Sequence, residues 1–224
     1  AKNDKKPVAI LVRKNTFSEY KPKKNSISDL SMSREDVIKI VAASAEKLDY
    51  SIVSTTGVSS RELFEYRADN NLGHSNDFLT VGGMGHASQI ALGIGMFAKD
   101  KNILCLDGDG AYLMHTGSNA EIGVRSINKL KHIVINNKCH DSVGGQPTRA
   151  GEIDLNKIAL SFGYKIYPSC KTENELMEII DEFLESNECS FLEIQVKPGF
   201  RKDLGRPTTS PKENKICFME SIQK

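Results

Sequence analysis

Short apolar runs that alternate with helix-patterned stretches constrain this chain more than any other feature. The runs fall at residues 51–54, 78–81, 102–106, 132–135, 164–167 and 191–196. Between them lie segments with helical signals. Ser33-Arg-Glu-Asp36 has the form of a capping box, and Val37, Ile40 and Val41 follow it at helical spacing. Further helices are expected at about 60–67, 86–97, 116–128, 154–162 and 173–184. Strand–helix–strand repeats of this length imply parallel crossovers. The expected fold is α/β, a mainly parallel sheet with helices on both faces.

The repeat occupies residues 33–197. Ahead of it, Pro7-Val-Ala-Ile-Leu-Val-Arg13 reads as a buried strand, the last element of something upstream, with 1–13 forming that remnant. Residues 14–32, with Lys21-Pro-Lys-Lys24 in the middle, read as a linker, and 198–224 as an irregular tail. The chain opens at Ala1 without Met and is expected to be a processed or truncated piece.

Composition narrows the function. A formal net charge of +1 over 224 residues suits neither a nucleic-acid surface nor a polybasic membrane anchor. No apolar run approaches the roughly 20 residues needed to span a bilayer, and no signal-peptide pattern opens the chain. Cys105, Cys139, Cys170, Cys189 and Cys217 form no C-x-x-C pair, which fits free thiols in a reducing cytoplasm.

Three glycine-rich turns fall at the carboxyl ends of expected strands, where open α/β sheets bind ligands. Asp107-Gly-Asp-Gly110 places Asp109 between two glycines, and a later strand ends in Asn136-Asn137. One helix and its turns fit between the two, so the strand ends are expected to be neighbours. A carboxylate and an amide carbonyl there make a hard-oxygen site suited to Mg²⁺, which takes few protein ligands and completes its shell with phosphate oxygens.

Gly108-Asp-Gly110 followed by Asn136-Asn137 resembles the signature of thiamine-diphosphate-dependent enzymes. That resemblance implies Mg²⁺ held by Asp109, Asn137 and the backbone carbonyl of Cys139. It also implies that Gly110 and Ala111 offer N–H groups to the diphosphate, and that Thr56, Gly57 and Ser59 form a second diphosphate turn. Gly82-Gly-Met-Gly85 resembles the turn that holds the aminopyrimidine, with the Gly82 carbonyl as acceptor and Met84 as the prop for a bent cofactor. Gly85-His-Ala-Ser-Gln-Ile-Ala-Leu-Gly93, Leu113-Met-His-Thr-Gly117 and His140-Asp-Ser-Val-Gly-Gly-Gln-Pro-Thr148 are similar to the phosphonopyruvate and sulfopyruvate decarboxylases. The likeness covers nearly all of 51–196.

The resemblance implies decarboxylation of a small anionic 2-oxo acid, 3-phosphonopyruvate first and sulfopyruvate as the alternative, within a homo-oligomer. A third reading is a non-catalytic module of the same fold. In the family the cofactor-activating glutamate lies on a pyrimidine-binding domain, upstream or on another chain. No candidate for it stands here, so the isolated chain is expected to fold but not to turn over substrate. His115 and His140 flank the metal motifs and are catalytic candidates, to orient substrate or relay a proton, or else structural. Lys138 and Arg149 flank the same loop, as ligands for the substrate anion or as solvated charges.

Overall fold

The computed structural model describes residues 3, 5–18, 29–98 and 100–223. Eight helices and eight strands follow in chain order among them: α1 (Arg34–Lys47), β1 (Tyr50–Ser54), α2 (Val58–Asp69), β2 (Asp77–Leu79), α3 (Ala87–Phe97), β3 (Asn102–Gly108), α4 (Asp109–Met114), α5 (Asn119–Arg125), β4 (Leu130–Asn136), β5 (Cys139–His140), β6 (Gln146–Pro147), α6 (Leu155–Phe162), β7 (Lys165–Ile166), α7 (Glu173–Glu185), β8 (Ser190–Gln195) and α8 (Pro211–Ile222).

Six strands form one sheet in the order β2-β1-β3-β4-β8-β7, and every pairing is parallel. β5 and β6 make a separate antiparallel hairpin. The central strands β1 and β4 are buried at every position, as a sheet covered on both faces requires. Successive residues alternate between two cores. Leu104, Leu106, Ile133 and Ile135 face α1 and α7, with Val37, Val41, Ile180 and Phe183 among their partners. Ile103, Cys105 and Val134 face the other side, with Ala91, Ile122 and Ala159.

Local signals start the helices as expected. Ser33 Oγ accepts the Asp36 N–H at 3.2 Å and the Asp36 carboxylate accepts the Ser33 N–H at 2.9 Å, so α1 carries a complete capping box. Thr172 and Glu175 do the same for α7. The helix expected over 116–128 arrives as a single 3₁₀ turn and the short α5, which stops at Ser126 in a left-handed conformation.

Three expectations need correction. Residues 7–13 form no strand; Val8, Ile10, Leu11 and Val12 are exposed, and no strand pairs with them among the described residues. An extended run needs a neighbour to satisfy its N–H and C=O groups, and the described chain offers none there. Of the linker, 14–18 and 29–32 are described, and Lys21-Pro-Lys-Lys24 lies outside the described residues. Met32 already belongs to the domain: it is buried, and its carbonyl accepts the Lys197 N–H at 3.0 Å. The tail is not irregular throughout, because it ends in α8. Ser210 caps that helix, Glu213 completes the box and Pro211 sits at its first position.

α8 covers the edge strand. Asn214 Oδ1 accepts the Leu79 N–H at 3.0 Å and its Nδ2 donates to the Asp77 carbonyl at 2.8 Å. Phe218 packs edge-on against Phe78 at 5.5 Å. A side-chain amide thus satisfies backbone groups that an open edge would leave to water or to another chain. No helix among the described residues is long and apolar enough to cross a membrane.

The strand order places the site. From β1 the chain crosses to β2 on one side, and from β3 it crosses to β4 on the other. Their carboxyl ends therefore diverge into a crevice, the switch point at which ligands enter open parallel sheets.

Candidate active site

A cleft opens at that switch point. Thr55 and Thr56 enter from the end of β1 and Ser59 from the first turn of α2, Gly108 to Ala111 from β3 and α4, and Asn137 and Cys139 to Ser142 from beyond β4. Met84 reaches in from the turn after β2 and is half-buried. Tertiary structure thus brings together Thr56, Ser59, Met84, Asp109, Gly110, Ala111, Asn137, Cys139 and His140.

Asp109 is 3% exposed. Burial pushes its carboxyl up to about 6, against the opposing pull of the Thr148 hydroxyl, the Gly110 N–H and nearby His140. Thr148 Oγ1 donates to Asp109 Oδ2. A buried carboxylate without a cation is poorly stabilised, and a divalent ion beside it would offset that cost. Thr55 Oγ1, in the wall of the same cleft, is buried and lacks a hydrogen-bond partner. An acid and an orphaned hydroxyl facing one cleft fit a metal-bound phosphate ligand.

The two asparagines after β4 divide the work. Asn136 Nδ2 donates to Glu193 on β8 at 2.7 Å, and its Oδ1 accepts the Lys138 N–H at 3.1 Å, so it shapes the turn. Asn137 faces the cleft; its Nδ2 donates to Asp141 Oδ2 at 2.6 Å and its Oδ1 accepts the Cys139 N–H at 3.2 Å.

Asp141 is the hub of this loop. It accepts from Asn137, from the Cys139 thiol at 3.0 Å, from the Gly199 N–H at 3.0 Å and from Arg34 Nη1 at 3.1 Å. Arg34, at the start of α1, also donates through Nε to Glu62 at 2.8 Å and through Nη2 to the Gly199 carbonyl at 3.2 Å. Burial holds the Glu62 carboxyl above its usual range even against the pull of Arg34.

Two glycines are needed where turns meet side chains. At Gly85, with φ +84°, a Cβ would lie 2.7 Å from His115 and 2.9 Å from the Ala111 carbonyl. At Gly110 it would clash with the His140 ring. Glycine at these positions lets the Met84 turn seat against α4 and lets His140 lie beside Asp109. Gly57 and Gly82 also have positive φ; Gly82 is exposed, and neither lines the cleft wall.

The two histidines part company. His140 lines the cleft, whereas His115 is exposed outside it and stacks on His86 at 4.3 Å. Arg149 is turned to solvent and paired with Glu152 at 2.8 Å, and Lys138 is exposed and does not line the cleft. Among the described residues, the cationic side chain in the cleft wall is Arg34, already committed to Glu62 and Asp141.

Sequence reasoning passed over Arg34, Glu62, Asp141 and Thr148 as site residues. Asp141 and Thr148 stand inside a motif that was read as a unit. Nothing in the sequence ties Arg34 to Asp141, which lie 107 positions apart.

Comparison with known proteins identifies the family. The family model described as "Thiamine pyrophosphate enzyme, C-terminal TPP binding domain" matches residues 55–194. A phosphonopyruvate decarboxylase of Streptomyces viridochromogenes is 36% identical over 165 residues, which are 74% of this chain and 40% of that protein. The sulfopyruvate decarboxylase subunit beta of Methanocaldococcus jannaschii is 30% identical over 195 residues, 85% of this chain and 97% of that subunit. The crystal structure of benzoylformate decarboxylase from Polynucleobacter necessarius superposes with a TM-score of 0.63 at 15% identity, over 80% of this chain and 36% of that one, a likeness of fold. This chain spans about two fifths of the phosphonopyruvate decarboxylases it matches. It belongs to the thiamine pyrophosphate enzyme family, as a C-terminal TPP-binding domain.

Proposed function

We propose that this chain is the diphosphate-binding half of a thiamine-diphosphate-dependent decarboxylase that converts 3-phosphonopyruvate to phosphonoacetaldehyde and CO₂. The observation that carries the reading is the buried Asp109 beside Asn137 in a cleft at the sheet's switch point, in a chain 36% identical to a phosphonopyruvate decarboxylase. Asp109, Asn137 and the Cys139 carbonyl would hold Mg²⁺, with phosphate oxygens completing its shell. The N–H groups of Gly110 and Ala111, in the first turn of α4, and the hydroxyls of Thr55, Thr56 and Ser59 are suited to the diphosphate. Met84 offers an apolar support beside them, and Gly82 a free carbonyl.

When bound, thiamine diphosphate supplies the electron sink that lets a 2-oxo acid release CO₂. His140, in the cleft wall, is positioned to orient substrate or carry a proton. His115 serves as a second candidate only if a partner domain closes over the rim where it stacks on His86. Since Arg34 is committed and Arg149 faces solvent, recognition of the substrate anion falls to a partner pyrimidine-binding domain or chain, which also provides the activating glutamate. The assembly is a homo-oligomer of such units in the cytoplasm.

A second reading is supported by length: this chain matches 97% of a sulfopyruvate decarboxylase β subunit. Assays of the assembled enzyme with both 2-oxo acids decide between the two. Phosphonopyruvate turnover in preference to sulfopyruvate supports the first; the reverse supports the second. In the same assembly Asp109→Ala should lose thiamine diphosphate retention, measured by calorimetric titration with Mg²⁺. Wild-type cofactor affinity in that variant would overturn the metal assignment. The isolated chain should bind the cofactor weakly and leave both acids intact.

A further inference from the structure

A second polar cluster lies beneath the cleft. Cys105 and Asp107 stand two apart on β3, so their side chains share one face of the sheet. His132 on β4 is the register partner of Cys105 and points to the same face. All three are buried, none more than 1% exposed. One ligand atom from each, a thiol, a carboxylate oxygen and an imidazole nitrogen, falls within 4.8 Å of the others. Ligand atoms around a tetrahedral ion of zinc size sit about 3.3–3.7 Å apart. The gap between His132 Nε2 and Asp107 Oδ2 is 3.7 Å, which suits a shared ion and is too long for a direct hydrogen bond.

Unpartnered atoms mark the same place. His132 Nε2 is fully buried and has no hydrogen-bond partner, and neither has the Tyr112 hydroxyl. The Tyr112 ring meets His132 edge-on at 5.6 Å, and its phenol is close enough to feel the Asp107 charge. The other nitrogen of His132, Nδ1, lies 3.3 Å from the Tyr164 hydroxyl. A proton on Nδ1 leaves Nε2 as a bare lone pair on the side of Asp107, the tautomer a metal ligand needs.

We propose that Cys105, Asp107 and His132 form a structural site for a zinc-like divalent cation, with the Tyr112 hydroxyl at or beside the fourth position. A dication with one thiolate, one carboxylate and a neutral imidazole is electrically neutral, the state a dry core tolerates. The thiol proton leaves to solvent as the metal binds. A sulfur ligand separates this site from the hard-oxygen site at Asp109, which suits Mg²⁺. The ion would pin β3 to β4 directly behind Gly108, whose N–H already donates to Asp107 Oδ1 at 2.9 Å.

The test uses Co²⁺, whose bond to thiolate gives a near-ultraviolet charge-transfer band. Purified protein is stripped of metal in denaturant and refolded with Co²⁺, as wild type and as Asp109→Ala, which removes the hard-oxygen site. One equivalent with the band in both proteins, abolished in Cys105→Ser and kept in Cys139→Ser, is the expected result. Should Cys105→Ser fail to fold, X-ray absorption on the Cys139→Ser protein must show one sulfur and light-atom neighbours. Tyr112→Phe should weaken retention by about 10–100-fold. Cobalt bound without a thiolate band, and lost entirely in Asp109→Ala, overturns the proposal. So does a His132 ring protonated on both nitrogens in metal-treated protein, seen by nitrogen NMR, since that is an imidazolium paired directly with Asp107. Neither outcome counts against the cleft's reading, which is tested by cofactor binding.

Discussion

Arg67 and Arg34 are both buried beside carboxylates. Arg67 donates through Nε and Nη2 to the two oxygens of Asp77 at 2.8 and 3.0 Å, and Glu46 reaches it from the surface. Its fork is spent on fastening the end of α2 to the start of β2. Arg34 instead divides its donors among Glu62, Asp141 and the Gly199 carbonyl, and Asp141 in turn holds Asn137. The first network is closed and serves packing alone. The second is shared, so packing of α1 on α2 is coupled to the loop that faces the cleft.

The sharpest break of this contrast is Arg67→Ala. It leaves Asp77 buried without its partner and should cost about 3–5 kcal/mol of stability in urea unfolding. Cation affinity of the remaining folded protein should be unchanged. If it falls as far as is expected for Asp141→Ala, the two networks are not distinct.

Asp141→Ala tests the shared side. Asn137 and the Cys139 thiol lose their acceptor and Arg34 loses one of its three, and Mg²⁺ affinity in the presence of thiamine diphosphate should drop about 10–100-fold. Unchanged titration curves would mean the loop holds its shape without Asp141.

Asn214→Ala should lose about 1–3 kcal/mol, because the Leu79 N–H and Asp77 carbonyl lose a partner each. It should leave cation binding alone. A change there would extend the coupling to the β2 edge.

The smallest effect is one of pH. Burial raises the folded Asp109 carboxyl from 3.8 to about 6, so between these values the cation-free folded state binds more protons than the unfolded one. Its contribution favours folding below pH 3.8 and is lost as pH rises toward 6. Cation binding needs the carboxylate and runs the other way: affinity should fall about tenfold per unit as pH drops below 6. A flat affinity from pH 5 to 7 would mean the carboxylate is already held ionised.

Much of the fold was legible because burial on both faces writes continuous apolar strands, and capping boxes write helix starts. Ser33 with Asp36 is local and behaved as read, and Thr172 with Glu175 starts α7 in the same way. Ser210-Pro211 with Glu213 carries the same signal, but α8 buries little besides Asn214 and Phe218, so no apolar stripe marks it in the sequence. Residues 7–13 failed for the opposite reason: an apolar run specifies a strand only when a neighbouring strand is present. In the site, Asp109 and the Asn136-Asn137 pair could be marked from turn chemistry and spacing, since each stands at a strand end, whereas Met84 was marked by the family resemblance of its turn. His115 could not be separated from His140 in that way, because which loop faces the cleft depends on the path of α4.

The amino-acid sequence alone determined the parallel α/β order, the glycine turns at the strand ends and the acid and amide that face the cleft, because these depend on contacts or patterns a few residues long. Tertiary structure decided the rest. It brought Arg34 to Asp141 across 107 positions, set Thr148 against Asp109 and put Cys105, Asp107 and His132 on one buried face. Those pairings depend on which strands become neighbours and on how helices cross them, which is settled by burying apolar surface from the whole chain at once.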